Sequence, residues 1–246
     1  MSASVAIVIP ALDEALAIRE VATDALALGY PVFVVDDGSR DGTAAAIADL
    51  PVTVIRHDAT QGKGQSLKDG FAAAFAQGAT AVVTLDGDGQ HAAADVPRLV
   101  AAHAQSPRAL VLCARTRRAG PRPLLRHFAN GFADFWISWA CGLRVLDSQC
   151  GQRLYPRVLV ESIALPASGG FTFESEVLIE AARAGFPIAG VPILARYHAG
   201  RRPSHFRPFA DIGKITRMVA GKILRRGLYL PGLVRSRLRG PILIDT

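Results

Sequence analysis

The residues best suited to chemistry are acidic side chains that directly follow short apolar runs. Asp86 and Asp88 stand two positions apart in the segment LDGDGQH, and Asp36 and Asp37 begin the segment DDGSRDGT. Carboxylates that share one edge of a sheet repel each other unless a cation or hydrogen-bond donors lie nearby. Oxygen ligands of this kind suit Mg²⁺ or Mn²⁺, which in turn binds a diphosphate. The spacing therefore predicts a divalent-cation site at Asp86 and Asp88, although a turn rich in Asp and Gly also follows many ordinary strands.

Two further segments add polar groups to this pattern. The first apolar run ends in Asp13 and Glu14, and the segment QGKG, which contains Lys63, precedes a helical pattern. A glycine-rich helix entry resembles a phosphate cradle, because the N–H groups of a helix N-terminus attract anions. A flexible helix entry is the alternative, since the complete GKS or GKT loop of nucleotide triphosphatases is absent. No GxGxxG follows the first run, which argues against a dinucleotide oxidoreductase.

The elements that must position these groups alternate regularly in the first half of the chain. Strands are predicted over Val5–Pro10, Val32–Asp36, Val52–Arg56, Ala81–Asp86 and Ala109–Ala114, and helices over Glu14–Leu28, Gly42–Leu50, Gln65–Gln77 and Ala94–His103. Apolar strands separated by helices indicate a mostly parallel sheet covered on both faces, the start of a doubly wound α/β fold. Ligands bind such sheets at the carboxyl ends of the strands, where the acidic groups lie.

The second half is less regular, and its end is basic. Helices are predicted over Leu124–Cys141, Phe173–Ala184 and Pro208–Arg226, and strands over Gln152–Tyr155 and Ile188–Ala195. The pattern predicts one domain over residues 1–207 and a basic amphipathic C-terminal extension over residues 208–246. Five apolar residues of the last helix recur at spacings of three and four and predict one apolar stripe: Phe209, Ile212, Ile215, Val219 and Ile223.

Charge and composition narrow the possible partners. Of a net charge of +7, the segment Pro192–Gly240 supplies twelve Lys or Arg residues against one acidic residue. Such a segment attracts phosphate-rich surfaces, although a solvated basic tail is the alternative. No aromatic RNA-binding strand or helix-turn-helix pattern accompanies it, so we expect no nucleic acid partner. No stretch is long and apolar enough for a membrane span. We expect a cytoplasmic protein, peripheral on the inner face of the cytoplasmic membrane, held there by basic and apolar side chains of the C-terminal extension.

The order of these segments resembles a family 2 glycosyltransferase of the GT-A fold, in the branch that is similar to dolichyl-phosphate mannosyltransferase. The resemblance covers roughly residues 4–215. Its segments are IPALDE (9–14), VVDDGSRDGT (34–43), QGKGQSLKDG (61–70), LDGDGQH (85–91), DSQCGQRLY (147–155), FTFESEVLIEA (171–181) and VPILARYHAGRRPSHF (191–206). The sequence departs from the usual pattern at two places. Leu12-Asp13 stands where Tyr-Asn or Tyr-Asp is common, and His205 stands where a lysine is usual.

The resemblance implies roles for individual residues. Nucleoside contacts are implied for Pro10, Asp13, Glu14, Asp36 and Asp37. Asp86, Asp88 and Gln90 match positions around the metal and the diphosphate, and we predict catalytic roles for Asp86 and Asp88. We predict that Lys63 also binds the nucleotide. Arg115 and Arg126 match basic positions near an acceptor phosphate. Arg202, Ser204 and His205 match a loop that closes over the donor, where we predict a catalytic role for Arg202 and acceptor contacts for Ser204 and His205.

The implied reaction is an inverting, metal-dependent transfer of a sugar from a GDP- or UDP-sugar to an acceptor. A polyprenyl phosphate needs no strong base, because a phosphate monoester is already largely dianionic at pH 7. A hydroxyl acceptor on a glycan, lipid or small molecule is the alternative, with Glu174 or Glu176 as candidate bases. A non-catalytic nucleotide-sugar- or lipid-binding protein is an alternative of another class. A nucleotidyltransferase is disfavoured, because the first run is not followed by GGxGxR.

Overall fold

The structure is a computed structural model that describes residues 4–118, 124–167, 172–195 and 208–246, without the side chains of residues 116–129 and 195–212. Its strands are Val5–Ala11 (β1), Val32–Asp36 (β2), Thr53–Arg56 (β3), Ala81–Thr84 (β4), Leu110–Arg118 (β5), Arg153–Pro156 (β6), Ile188–Ala195 (β7) and Ile242–Leu243 (β8). They form one sheet in the order β3-β2-β1-β4-β6-β5-β7-β8.

Only β6 runs against the other strands of this sheet. It pairs antiparallel with β4 and with β5, whereas the remaining neighbours pair in parallel. The carboxyl ends of the seven parallel strands therefore meet at one edge, and the amino end of β6 joins them there. This reversal brings the segment that precedes Arg153 into the edge where the predicted site lies.

Helices cover both faces of the sheet. They are Ile18–Leu26 (α1), Lys63–Ala76 (α2), Val96–Gln105 (α3), Leu124–Cys141 (α4), Arg157–Ser162 (α5), Thr172–Arg183 (α6), Pro208–Leu224 (α7) and Leu230–Leu238 (α8). Because strand side chains alternate, Ile7 and Ile9 of β1 pack with α1 and α3, and Val8 packs with α2 on the opposite face. The cluster that contains Val8 also includes residues of α4, α6 and α7. The predicted GT-A type α/β fold with a mostly parallel sheet is confirmed.

One predicted helix is wrong. The segment predicted as a helix over 42–50 holds only the 3₁₀ turn Ala45–Ile47. The Thr43 backbone N–H and hydroxyl both donate to Asp41 Oδ1, at 3.0 and 2.5 Å. A local side-chain partner of this kind competes with the helical hydrogen-bond ladder. Short elements at α5, α8 and β8 were not predicted from the sequence.

The C-terminal segment packs on the domain. On α7, Ile215, Val219 and Ile223 are buried in the core cluster that α4 and α6 share, while the side chains of Phe209 and Ile212 lie outside the described residues. For its three described members, the expectation that this stripe faces a bilayer is therefore wrong, and the alternative that it packs on the core of the protein is correct. The division at residue 207 stays a prediction. No helix in the described ranges has the length and hydropathy to cross a membrane.

Candidate active site

The carboxyl ends of β1, β2 and β4 bring the predicted acidic residues to one edge. The Asp37 N–H donates to the Ala11 carbonyl at 2.9 Å, and the Leu85 N–H donates to the Val8 carbonyl at 3.0 Å. The segments that follow these three strands therefore leave the sheet side by side. We call the group of carboxylates there the acidic rim: Asp13, Glu14, Asp36, Asp37, Asp86 and Asp88.

Hydrogen bonds between the loops after β1 and β2 fix one side of the rim. The Asp13 N–H donates to Ser39 Oγ, the Glu14 N–H donates to Thr43 Oγ1, and Asp13 Oδ1 accepts from the Arg40 N–H, each at 2.9 Å. Asp13 has a φ of 54°, a left-handed conformation that Asp tolerates better than most residues. The two loops thus form one rigid wall beside Pro10, which is buried at the end of β1.

Asp36 and Asp37 were predicted to act alike, but the structure gives them different surroundings. Asp36 is fully buried, and its Oδ1 accepts from the Ser39 N–H at 2.9 Å. Its Oδ2 has no hydrogen bond among the described residues, and Arg56 Nε lies 3.5 Å away. Asp37 instead accepts from the N–H groups of residues 61 and 62, both at 2.8 Å. Asp36 Oδ2 forms an ion pair with Arg56 but accepts no hydrogen bond from the described residues, which suits a ligand donor, whereas Asp37 shapes the QGKG loop.

A buried histidine contacts the Asp37 carboxylate. His57 Nδ1 lies 2.7 Å from Asp37 Oδ1, and His57 Nε2 lies 3.1 Å from Asp69 Oδ2 on α2. The Gln65 side-chain amide donates to both Asp69 oxygens, at 3.0 and 3.1 Å. Sequence reasoning missed this network, because no motif links a histidine after β3 to a carboxylate in the second turn of α2.

Lys63 lies between two carboxylates of different elements. Its Nζ is 2.7 Å from Asp86 Oδ1 and 3.0 Å from Glu174 Oε2, and its side chain is 19% exposed. Burial by itself would lower the pKa of Lys63, but the charges of Asp86 and Glu174 outweigh burial and raise it. Burial would likewise raise the pKa of Asp86, but Lys63 and His91 lower it. Lys63 is therefore a fixed ammonium that joins the end of β4 to α6.

Asp88 has weaker support than Asp86. Its Oδ1 accepts from the Gln90 N–H at 2.9 Å, and burial followed by the charge of Asp86 raises the pKa of Asp88. The Gln90 side chain is exposed, so the structure shows Gln90 shaping the turn through its backbone. A metal-ligand role for the Gln90 amide stays a prediction. His91 Nε2 lies 3.4 Å from Asp86 Oδ2 and completes the surroundings of that carboxylate.

The loop before β6 presses directly on Asp86. A Cβ at Gly151 would lie 2.5 Å from Asp86 Oδ2, so only glycine leaves room for the carboxylate. Arg153 holds this loop, since its fully buried guanidinium donates to the carbonyls of Cys150, Ser148 and Glu174 at 2.7, 2.8 and 2.7 Å. The same bonds fix the start of α6, which carries the Glu174 partner of Lys63. The resemblance marked this segment, but neither role was predicted.

Arg115, predicted to contact an acceptor, is held by an aspartate. Its Nε and Nη2 donate to the two oxygens of Asp147 at 2.5 and 2.6 Å, and its backbone N–H donates to Asp147 Oδ2 at 3.0 Å. Asp134 on α4 accepts from the N–H groups of Asp147 and Ser148 at 3.0 and 2.8 Å. In the structure Arg115 therefore connects the end of β5 to the loop before β6, and its contact with an acceptor stays a prediction.

The structure separates the two candidate bases. Glu174 Oε2 contacts Lys63, and its buried Oε1 has no hydrogen bond among the described residues. Glu176 Oε1 lies 2.8 Å from Lys222 of α7, away from the rim. The Arg126 side chain lies outside the described part of the chain, as do Arg202, Ser204 and His205.

The donor set of the rim fits a divalent cation better at Asp88 than at Asp86. Lys63 already neutralises Asp86, whereas a positive charge beside Asp88 would stabilise its ionised form. Among the described residues, no three His, Cys, Asp or Glu side chains form a metal site by themselves. Mg²⁺ commonly takes one or two protein carboxylates together with water and substrate phosphates. The residues present therefore fit a cation that binds together with a diphosphate.

Characterised proteins of similar sequence include two sugar transferases. A polyprenol monophosphomannose synthase of Mycolicibacterium smegmatis is 33% identical over 66% of this chain, and the match spans 65% of that relative's length. A UDP-N-acetylglucosamine–dolichyl-phosphate N-acetylglucosaminyltransferase of Methanococcus voltae is 26% identical over 89% of this chain and 97% of its own length.

Solved structures show the same fold. Glucosyl-3-phosphoglycerate synthase of Mycobacterium tuberculosis, crystallised with Mn²⁺ and UDP, has a TM-score of 0.69 and 24% identity. The match covers 91% of this chain and 80% of that structure. The sequence model of glycosyl transferase family 2 matches residues 6–159, which include β1 to β6 and the acidic rim. The chain therefore belongs to glycosyl transferase family 2.

Proposed function

We propose that this glycosyltransferase moves a sugar from a nucleotide diphosphate sugar to a polyprenyl phosphate, with inversion and with Mg²⁺ or Mn²⁺. The observation that carries the proposal is the acidic rim, which combines the buried carboxylate of Asp36, the poorly compensated carboxylate of Asp88 and the fixed ammonium of Lys63. Two relatives support the acceptor class, since their names specify polyprenol and dolichyl phosphate.

Donor binding uses both sides of the rim. Asp36 Oδ2 accepts a hydrogen bond from the nucleoside, within the wall formed by Pro10, Asp13 and Glu14. Asp88 would hold the cation, because burial and the charge of Asp86 leave its carboxylate poorly compensated in the absence of one. A bound Mg²⁺ or Mn²⁺ supplies positive charge against the oxygens of the leaving diphosphate. Lys63, held at a fixed place by Asp86 and Glu174, offsets part of the negative charge of the rim.

The displacement is a single step. One oxygen of the acceptor phosphate forms a bond to the anomeric carbon while the bond from that carbon to the diphosphate breaks, so the configuration inverts. The second pKa of a phosphate monoester is about 6, so the nucleophile is ionised at pH 7 without a protein base. Arg126, Arg202, Ser204 and His205 are the residues that we assign to the acceptor and to closure over the donor.

A hydroxyl acceptor is the second candidate, and Glu174 favours it. Its buried Oε1 has no hydrogen bond among the described residues, and its Oε2 is fixed by Lys63. A carboxylate oriented in this way is placed to accept a proton from a hydroxyl. Glu174→Gln separates the candidates, because it abolishes transfer to a hydroxyl but spares transfer to a phosphate, provided that Lys63 keeps its partner.

The direct test is a matrix of donors and acceptors. GDP-mannose, UDP-glucose and UDP-GlcNAc are each incubated with Mn²⁺ and with undecaprenyl phosphate, 3-phosphoglycerate or no acceptor. We expect nucleotide release and a lipid-extractable sugar with one donor, and only when undecaprenyl phosphate is present. Nucleotide release that depends on 3-phosphoglycerate instead would establish the hydroxyl candidate. The Asp88→Asn variant controls for nucleotide release that does not require the rim.

A further inference from the structure

Large apolar side chains are concentrated on the surface of the C-terminal helices. The described residues include twelve exposed large apolar side chains, and seven of them lie between Leu224 and Leu243. Fully burying a leucine side chain contributes about 1.5–3 kcal/mol, so one surface with several exposed leucines indicates an external contact. The segment 212–244 contains no acidic residue, so this surface is also basic.

Helix α8 turns its large side chains outward and its small ones inward. Leu230, Val234 and Leu238 follow at intervals of four and form one stripe, with exposures of 57%, 53% and 81%. The buried positions of α8 are Gly232 and Ser236. At 100° per residue, these small residues lie on the side opposite the stripe. A helix that packs through glycine and serine leaves its apolar stripe for another partner.

The neighbouring turn and α4 fix the orientation of this stripe. The Trp139 indole N–H donates to the carbonyls of Leu228 and Tyr229 at 3.1 and 3.2 Å. Leu228 and Tyr229 both have left-handed φ values, 64° and 42°, a conformation that costs about 1–3 kcal/mol at each residue. The Tyr229 ring lies so close to Gly232 that a Cβ there would be 2.0 Å from it. Helix α8 is therefore anchored to the domain.

Aromatic rings and arginines border the stripe. Phe132, Phe135, Trp136 and Trp139 follow one another along α4, and Trp136 stacks on Trp139 at 5.2 Å. Arg237 lies over the Phe135 ring at 4.7 Å, and Arg226 lies over the Tyr229 ring at 3.5 Å. Amphipathic rings and arginines around an apolar stripe are typical of surfaces that lie at a membrane interface.

We propose that this surface, which we call the α8 face (Phe132, Leu228, Leu230, Val234, Leu238, Arg235 and Arg237), docks on an anionic phospholipid bilayer. The leucines enter the boundary between head groups and acyl chains, and the arginines contact lipid phosphates. A second copy of the chain is disfavoured, because a two-fold contact through this face would bring the arginines of both copies together. The α8 face replaces the stripe of α7, whose described members are buried, as the membrane contact.

The position of the α8 face suits a lipid-linked acceptor. This part of the inference rests on the proposed function. Asp134 lies in α4 between Phe132 and Trp136, and it accepts hydrogen bonds from Asp147 and Ser148 in the loop that leads to Gly151. A bilayer at the α8 face would therefore lie against the helix that supports the acidic rim. A lipid-linked phosphate would then reach the rim without leaving the membrane.

The test uses vesicles without donor or acceptor. Full-length protein is floated with vesicles of phosphatidylglycerol or of phosphatidylcholine at low and high salt. The two tryptophans of the chain, Trp136 and Trp139, both lie on α4, so brominated acyl chains provide a second readout through fluorescence quenching. We expect flotation and quenching with phosphatidylglycerol at low salt, and loss of both with phosphatidylcholine.

Matched variants locate the contact. The triple substitution Leu230→Ser, Val234→Ser and Leu238→Ser should weaken binding about tenfold or more, because it removes inserted apolar surface. Arg235→Gln and Arg237→Gln should each weaken binding about fivefold and reduce its salt dependence. The control Leu16→Ser, Val54→Ser and Val158→Ser changes side chains that are also exposed, but elsewhere, and should bind like the unchanged protein.

Three results would overturn the proposal. They are failure of the full-length chain to float with phosphatidylglycerol, equal flotation of the two triple variants, and a dimer in light scattering that the α8 variant dissociates. A protein that floats as expected but transfers no sugar to undecaprenyl phosphate would reject the proposed function and leave the α8 face standing.

Discussion

The acidic rim and the α8 face differ in whether their side chains find partners within the chain. In the rim, the Lys63 ammonium pairs with Asp86, and two backbone N–H groups bind Asp37, so these charges have partners within the chain. On the α8 face, the apolar stripe is exposed and small residues occupy the buried side of the helix. The rim is thus preorganised by contacts within the chain, whereas the apolar side chains of the α8 face can be buried only against a partner outside the chain.

The largest expected effect comes from Asp88, the least compensated carboxylate of the rim. Asp88→Asn should lower transfer by about 100- to 1,000-fold, because it removes charge that supports the leaving diphosphate. Its thermal stability should be unchanged or slightly higher, since burial and Asp86 disfavour the ionised form in the folded state. Turnover at saturating Mn²⁺ and melting temperature are measured beside Asp24→Asn, an exposed control on α1. Near-normal turnover of Asp88→Asn would remove Asp88 from the mechanism.

Gly151 tests whether the rim is preorganised by sterics. Gly151→Ala should lower transfer about 10- to 100-fold, because a Cβ 2.5 Å from Asp86 Oδ2 must displace that carboxylate from Lys63. Gly213→Ala is the matched control, since a Cβ there meets no atom within 4 Å. Donor binding and turnover are compared for the two variants. Equal behaviour of the two variants would show that the Asp86 position is not critical.

The ion pair between Arg115 and Asp147 tests the support of the rim. Asp147→Asn keeps a residue that tolerates the φ of 52°, and should lower the free energy of unfolding by about 2–3 kcal/mol at pH 7. Burial alone would raise the pKa of Asp147, but Arg115 outweighs it and lowers the pKa.

The sign of the pH dependence follows from that lowered pKa. The contribution of Asp147 is complete above its unfolded pKa of about 3.9 and is lost as the pH falls through the lower folded value. The difference between the two proteins in urea unfolding should therefore shrink below about pH 4. Asp134 and His91, which also act on Asp147, are unchanged in both proteins. A difference that grows with acidity would contradict this assignment.

The smallest expected effects are on the free energy of unfolding, for two valines that both lie within helices. Val219→Ala on α7 should lower the free energy of unfolding by about 1.5–2 kcal/mol, because Val219 is fully buried. Val234→Ala on α8 should change it by less than about 0.5 kcal/mol, because Val234 is 53% exposed. Urea unfolding of both variants measures the difference. Equal destabilisation would mean that the α8 stripe also packs on the domain.

The early strands and the acidic rim could be predicted because their signals are local. β-branched runs such as Val32–Val35 form buried strands wherever they pack, and the Asp-Gly turns that follow stop them. The order of the strands then brings the carboxyl ends to one edge. The helix predicted over residues 42–50 shows the limit, since two local hydrogen bonds from Thr43 to Asp41 compete with a favourable alanine-rich pattern.

The sequence by itself determined the family, the α/β fold and which strand ends carry carboxylates, because these depend on residue types in short segments. Only the tertiary structure decided that Asp37 shapes a loop while Asp36 Oδ2 accepts no hydrogen bond from the described residues, and that Arg115 is bound by Asp147. It also decided that the described apolar stripe of α7 is buried while that of α8 is exposed. The physical reason is that the role of a charged or apolar side chain depends on what lies opposite it. For these residues that neighbour comes from distant segments, 24 positions away for Asp37 and Gln61 and 32 for Arg115 and Asp147.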